Sequence, residues 1–207
     1  MPPASSHARV RSLASSEGKE AAEFLSVWFR RVVGSDESAF ESLFRALHDD
    51  LLSHAVRILG DAAAARDVVQ DAFVKFWERR REHDPTGSVR ALLHRTVRNL
   101  ALNQIRDGRR RDELLAENYE PSRSRPPEPD ASLAGRELET RIQGWISELP
   151  DRQREALTLS RFQGLSHEEI ARVMEVTPRT VNNHLVRALR TLRDRIDTQD
   201  PPRPPNG

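Results

Sequence analysis

The sequence predicts an all-α protein made of two small helical domains joined by a flexible linker. Three observations predict it. Apolar residues recur three or four positions apart from Glu20 to about Arg106, and again from Arg136 to Leu192. Between these stretches, Glu113 to Gly135 loses the spacing and gathers Pro121, Pro126, Pro127 and Pro129. Most apolar runs also follow a Ser, Thr or Asp able to accept hydrogen bonds from the N-terminus of a helix. At 207 residues the chain suffices for one large domain or two small ones. The expected division is an N-terminal extension 1–34, a first domain 35–112, an acidic Pro-rich linker 113–135, a second domain 136–197 and a disordered tail 198–207.

Met1 to Gly18 is rich in Ser, Ala, Pro and charge and reads as disordered. Glu20 to Val33 carries Phe24, Leu25, Trp28, Phe29 and Val32 at helical spacing, and Gly34 ends that short amphipathic helix. Ser35 and Asp36 cap a second helix, whose apolar face runs from Phe40 through Leu43, Leu47, Leu51 and Ala55 to Leu59, before Gly60. Asp61 caps a third, expected over 62–81. Val68, Val69, Ala72, Phe73, Phe76 and Trp77 form its core face, and Asp67, Gln70 and Asp71 lie on its polar face. An acidic strip of that kind suits a basic partner helix. A polar turn with Pro85 and Gly87 follows. Ser88 then caps a fourth helix, expected to about Arg106, with Val89, Leu92, Leu93, Val97, Leu100, Ala101 and Ile105 inward. Arg90, His94, Arg95, Arg98, Asn99 and Arg106 fall elsewhere on it, and Arg109-Arg110-Arg111 extends its basic character, which suits a phosphate backbone. After the linker, Leu138, Ile142, Trp145 and Ile146 restore helical spacing, and Asp151 is expected to cap a helix carrying Ala156, Leu157, Leu159 and Phe162.

The stretch Leu165 to Leu192 reads as two helices joined by a tight turn. Ser166 and Glu169 form a capping box for the first, whose apolar face is Ile170, Ala171 and Met174. The turn is Glu175-Val176-Thr177; Thr177 is a good cap, and Pro178 fits the first helical position. Val181, Leu185, Ala188, Leu189 and Leu192 form the inner side of the second helix. Arg179, Asn182, Asn183, Arg187 and Arg190 form its outer side, with Thr180 joining the candidate contacts. Arg and Asn bond guanine and adenine edges bidentately in the major groove, so this pattern points to a DNA-reading helix-turn-helix.

Composition excludes several classes. Net charge is +1, but the charge is segregated. Ile105–Arg111 holds four Arg against one Asp, Arg179–Arg193 holds four Arg and no acid, and Asp112–Gly135 is net acidic. Without cysteine there is no disulfide framework, thiolate metal site or cysteine nucleophile. His167-Glu168-Glu169 begins like a zinc-protease motif, but Ala171 stands where the second histidine belongs. No catalytic residue, metal or cofactor is expected. No apolar run approaches the roughly 20 residues that span a bilayer, and a cytoplasmic location is expected.

Two longer segments resemble a known family. "DAAAARDVVQDAFVKFWERR" followed by "VRALLHRTVRNLALNQIRDGRRR" is similar to region 2 of bacterial sigma factors. "ELPDRQREALTLSRFQGLSHEEIARVMEVTPRTVNNHLVRALRTLR" is similar to their region 4. Together, with a short linker between, they resemble the extracytoplasmic-function group of the sigma-70 family, over about Ser38 to Ile196. That resemblance implies a promoter-specificity subunit with three partners: core RNA polymerase through its clamp helices and flap, promoter DNA, and an anti-sigma factor. It implies that Asp67, Gln70 and Asp71 dock on polymerase. It implies that Arg95, Arg98, Asn99, Asn103, Arg106, Arg109 and Arg110 engage the −10 element, and that the turn Arg80 to Gly87 captures an extruded base. The second helix of the helix-turn-helix would read the −35 element. Two departures stand out. Asn103 occupies a position that often carries Asp in the family, so a contact needing that carboxylate is missing. No Phe, Tyr or Trp lies between Asp84 and Glu117, so melting by stacked aromatics is not expected. Base capture with Arg–phosphate contacts is the expected mode, and with it a narrow promoter repertoire. The competing reading is a stand-alone helix-turn-helix regulator acting as a dimer.

Overall fold

The computed structural model describes residues 22–114 and 141–199. The expectations for the first residues of the chain, for the Pro-rich linker and for the tail fall outside the described residues.

Regular structure among the described residues is helical throughout. α1 spans 22–33, α2 Glu37–Leu59, α3 Ala62–Glu78 and α4 Val89–Leu114, with a 3-10 turn at Arg80–Glu82. α5 covers 141–147, α6 Asp151–Arg161, α7 His167–Met174 and α8 Pro178–Gln199. Their ends have local causes. The Asp36 side chain accepts from the Ala39 amide at the start of α2, and Asp61 from the Ala63 amide at the start of α3. Gly60 closes α2 at φ 73°, a left-handed position where a Cβ would be strained. Ser88 caps α4 by accepting from the Ala91 amide at 3.2 Å. α4 runs past the expected end near Arg106 to Leu114, so the arginine run 109–111 continues the helix. Asp151 does not cap α6: the cap position is Pro150, and the Asp151 carboxylate is instead taken by Arg154 in the same turn. A proline before the helix sets the extended entry, and Asp151 becomes the first helical residue.

Two apolar cores result. Leu25, Phe29 and Val32 of α1 join Leu43, Leu47 and Leu51 of α2, Val69, Phe73 and Phe76 of α3, and Leu93, Val97 and Ala101 of α4. Burying each such side chain contributes roughly 1.5–3 kcal/mol. The N-terminal helix is therefore part of the first core, held partly by the Phe29 and Phe76 rings, whose centroids are 5.8 Å apart. Trp77 is only half-buried, and the Arg80 guanidinium lies 4.2 Å from its ring centroid. The second core gathers Ile146, Leu157, Leu159, Ile170, Met174, Val181 and Ala188 from α5–α8, with Leu149 from the connection between α5 and α6. Ala91 of α4 belongs to this second core, because α4 packs on α7.

Candidate nucleic-acid interface

The helix-turn-helix is assembled by the capping chemistry of its sequence. Ser166 accepts from the Glu169 amide, and the Glu169 carboxylate accepts from the Ser166 amide at 2.8 Å, closing the box. Glu175 ends α7 in the left-handed region, φ 56°, and lets the chain turn. Thr177 accepts from the Thr180 amide at 3.2 Å and starts α8. Thr180 is half-buried, with its hydroxyl 2.9 Å from that of Thr177, so the hydroxyl is occupied by the cap. Arg179, Asn182, Asn183, Arg187 and Arg190 are all exposed on one side of α8. Opposite them Val181, Leu185 and Ala188 are buried. Leu189, expected inside, is 44% exposed. Val186 sits in the middle of the polar face and is 55% exposed. Sequence reading passed over it. A valine flanked by arginine and asparagine on the outer side was the available signal.

α4 divides its circumference among three duties. Val89, Leu93, Val97 and Ala101 are buried in the first core. Leu92, Arg95, Thr96, Asn99, Leu100 and Asn103 line an open groove of about 260 Å³. Asn103 accepts from Arg106 at 3.1 Å, and Arg106 and Arg110 are exposed. The side chain of Arg109 lies outside the described residues. The third face meets the second domain. Arg98 is 6% exposed, and its Nε donates to the Glu155 carboxylate at 2.5 Å. Arg95 reaches Glu175 at 3.1 Å, and Arg90 donates to the Gln163 carbonyl. Ser88 donates to Glu169 at 2.5 Å. Burial raises the Glu169 pKa, but its hydrogen bonds from Ser88 and Ser166 outweigh that and hold the carboxyl below the usual range. The predicted −10 residues are thus split: Asn99, Asn103, Arg106 and Arg110 face solvent or the groove, Arg95 lines the groove while pairing with Glu175, and Arg98 is buried against the second domain.

Between α2 and α4 lie two buried histidines. His54 and His94 share a hydrogen bond between their Nδ1 atoms at 3.0 Å. Burial, then the charges of Arg98 and Arg57, push the His54 pKa down to about 3. Burial, His54 and Arg90 push His94 well below the usual imidazole value. Both rings are held neutral and serve packing. On α3, Asp67, Gln70 and Asp71 are exposed together, with Val74 of the same side 47% exposed.

Residues 43–111 match the family model of sigma-70 region 2, and residues 140–192 match that of sigma-70 region 4. The chain is 32% identical over 166 residues to the RNA polymerase sigma-H factor of Pseudomonas aeruginosa, covering 76% of this chain and 86% of that one. The chain belongs to the sigma-70 family. Within it, this sigma factor falls in the extracytoplasmic-function group. It is 31% identical over 157 residues to the extracytoplasmic-function sigma factor SigE of Mycolicibacterium smegmatis, covering 75% of this chain and 61% of that relative's length. Among solved structures it is similar to CnrH in complex with the cytosolic domain of CnrY, with a TM-score of 0.59 and 26% identity, covering 85% of this chain and 99% of that one. The sigma factor RpoE of Bartonella quintana, solved with the anti-sigma factor NepR, shares the fold with a TM-score of 0.64 at 22% identity, covering 77% and 98% of the two chains. Region 2 upstream of region 4 removes the stand-alone regulator as a reading. No described helix of this sigma factor is long and apolar enough to cross a membrane.

Proposed function

We propose that this sigma factor binds core RNA polymerase through α3 and reads two promoter elements, the −35 element with α8 and the −10 element with α4. The exposed, acid-free run of Arg and Asn on α8 carries this reading. It offers bidentate donors at the spacing of a major-groove helix, on an element whose opposite side is fixed in a core. Asp67, Gln70 and Asp71 supply the docking strip for the clamp helices, and region 4 meets the flap. In the α4 groove, Arg95, Thr96, Asn99 and Asn103 offer polar partners to an unpaired −10 base. Polymerase supplies the chemistry, in the cytoplasm. The complexes of CnrH with CnrY and of RpoE with NepR support an anti-sigma partner for this chain as well.

The test is transcription by reconstituted holoenzyme on a library of randomised promoters. Enrichment of two separated sequence blocks at a fixed spacing is expected. Enrichment of a single block, or transcription independent of the added chain, would contradict the two-element reading.

A further inference from the structure

The first domain carries a second cationic cluster, outside α4. Residues 79–81 are three consecutive arginines, flanked by Glu78 and Glu82. Two of them converge on one neutral oxygen. Arg80 Nε donates to the Ser35 hydroxyl at 3.0 Å, and Arg81 Nε donates to the same hydroxyl at 3.4 Å. Arg31, Arg45, Arg90 and Arg106 of this domain each reach a carboxylate. Among the described residues, Arg80 and Arg81 reach none. Two adjacent positive charges on a neutral acceptor repel each other, and an anion between them removes that cost. The cluster is held from several sides. The Arg80 guanidinium lies on the Trp77 ring and donates through Nη1 to the Trp77 carbonyl at 2.7 Å. Trp77 packs on Phe40 of α2, with ring centroids 4.9 Å apart. Ser35 sits in the turn between α1 and α2, its amide donating to the Val32 carbonyl at 2.8 Å. Its φ is 69°, a left-handed conformation that glycine adopts with less strain. The strained position nevertheless carries the hydroxyl that both arginines use, and strain kept in this way points to a role beyond the turn. The neighbouring acid Asp36 is already taken, by Arg31 at 2.7 Å and by the Ala39 amide.

We infer that Arg80 and Arg81, positioned by Ser35, form a binding site for one phosphate of the promoter backbone. The inference rests on the reading that the first domain engages promoter DNA at the −10 element. Each guanidinium spends its Nε on Ser35. Among the described residues, Arg81 keeps both Nη groups and Arg80 keeps Nη2 for an oxyanion. Two guanidiniums with donors left over match the two free oxygens of a phosphodiester, and the bonds are charge-assisted. Promoter DNA is the phosphate-bearing molecule on which a sigma factor acts. A contact of this kind fixes the register of the strand and reads no base. Ser35 acts through the arginines and is a positioning residue. It lies outside residues 43–111, which match sigma-70 region 2, so the segment that precedes the matched region helps to build the site.

The experiment uses holoenzyme assembled from the full chain, and a pre-melted promoter bubble taken from the randomised library. Single methylphosphonate linkages, each removing one phosphate charge, are placed in turn across the −10 region of both strands. In the wild type, substitution at one linkage should weaken binding by about tenfold. Arg81→Gln, at an exposed position, should abolish the penalty at that linkage and leave the penalties elsewhere unchanged. It should also lower the slope of log affinity against log salt by about one. Ser35→Gly separates positioning from folding. Its melting temperature should be unchanged or higher, because glycine relieves the left-handed backbone, yet it should bind the bubble several-fold more weakly and lose the penalty at the same linkage. A scan with no linkage whose penalty Arg81→Gln removes overturns the inference, as does undiminished binding by folded Ser35→Gly. Inorganic phosphate is the second probe, titrated into the chain alone and read by the Nε resonances of Arg80 and Arg81. Shifts in those resonances beside a flat linkage scan would show a site for free phosphate and would equally overturn the promoter assignment. Wild-type holoenzyme that binds no bubble would sink the −10 reading and this inference with it, whereas binding with a flat scan sinks the inference alone.

Discussion

Arg187 and Val186 are neighbours on the exposed side of α8, and the proposed DNA-reading role sets each a separate test. Arg187→Ala in holoenzyme should weaken binding to a cognate −35 element by about 1–3 kcal/mol, the worth of one bidentate base contact. Unchanged promoter affinity in that variant would refute a base-reading role. If α8 lies in the major groove as proposed, the exposed Val186 methyls would meet thymine C5-methyl groups there. Replacing the thymines of the −35 element by uracil should cost the wild type about 0.8 kcal/mol for each methyl lost from contact, and should cost Val186→Ser less. Equal losses in both proteins would show that Val186 touches no methyl. The two residues also mark what spacing reveals at this scale. Arg187 was legible because a polar residue three or four positions from other polar ones must share their face. Val186 was not, since periodicity alone does not announce an apolar side chain left outside. Arg98 failed in the opposite direction. Its position off the core face of α4 was correct, but its partner Glu155 lies 57 positions away, and a contact that distant leaves no local pattern.

At the scale of elements, most helix starts followed from their caps, because a hydrogen bond from a side chain to a nearby amide is local chemistry. Ser166 with Glu169, Thr177 before Pro178, Asp61 and Ser88 all behave that way. Asp151 departs because the preceding proline takes the cap position. The pairing of α2 with α4 through two histidines had no such signal, as His54 and His94 are 40 positions apart. It has a measurable consequence. Both imidazoles have pKa values depressed in the folded state, so the unfolded chain binds more protons once the pH drops below about 6.5. Stability is then fully present above that pH and is lost as the pH falls toward the folded value. The loss should reach about 1.4 kcal/mol per pH unit for each histidine. Urea midpoints measured between pH 7.5 and 5 should fall, and should fall less for His54→Gln/His94→Gln. A wild-type midpoint flat across that range would contradict the buried neutral pair.

Taken whole, the molecule separates its tasks by surface. The acids proposed for docking sit on α3, a groove with polar lining on α4, and arginine and asparagine on α8, each held by a core on the opposite side of its helix. The two-domain plan was legible because proline interrupts helical spacing between two stretches that each carry their own apolar faces. How the domains meet was not, because its contacts, Ala91 in the second core and polar pairs such as Arg98 with Glu155, join residues far apart in the sequence. The claim on which all these roles depend is that the chain is a polymerase subunit engaged through α3. The most direct measurement is elution of the purified full chain with bacterial core RNA polymerase on a sizing column, beside Asp71→Arg. Stoichiometric co-elution of the wild type, lost in the folded Asp71→Arg variant, is the predicted result. A wild-type chain that elutes apart from core, yet binds duplex DNA tightly alone, would contradict the account and return Asp67, Gln70 and Asp71 to an ordinary solvated face.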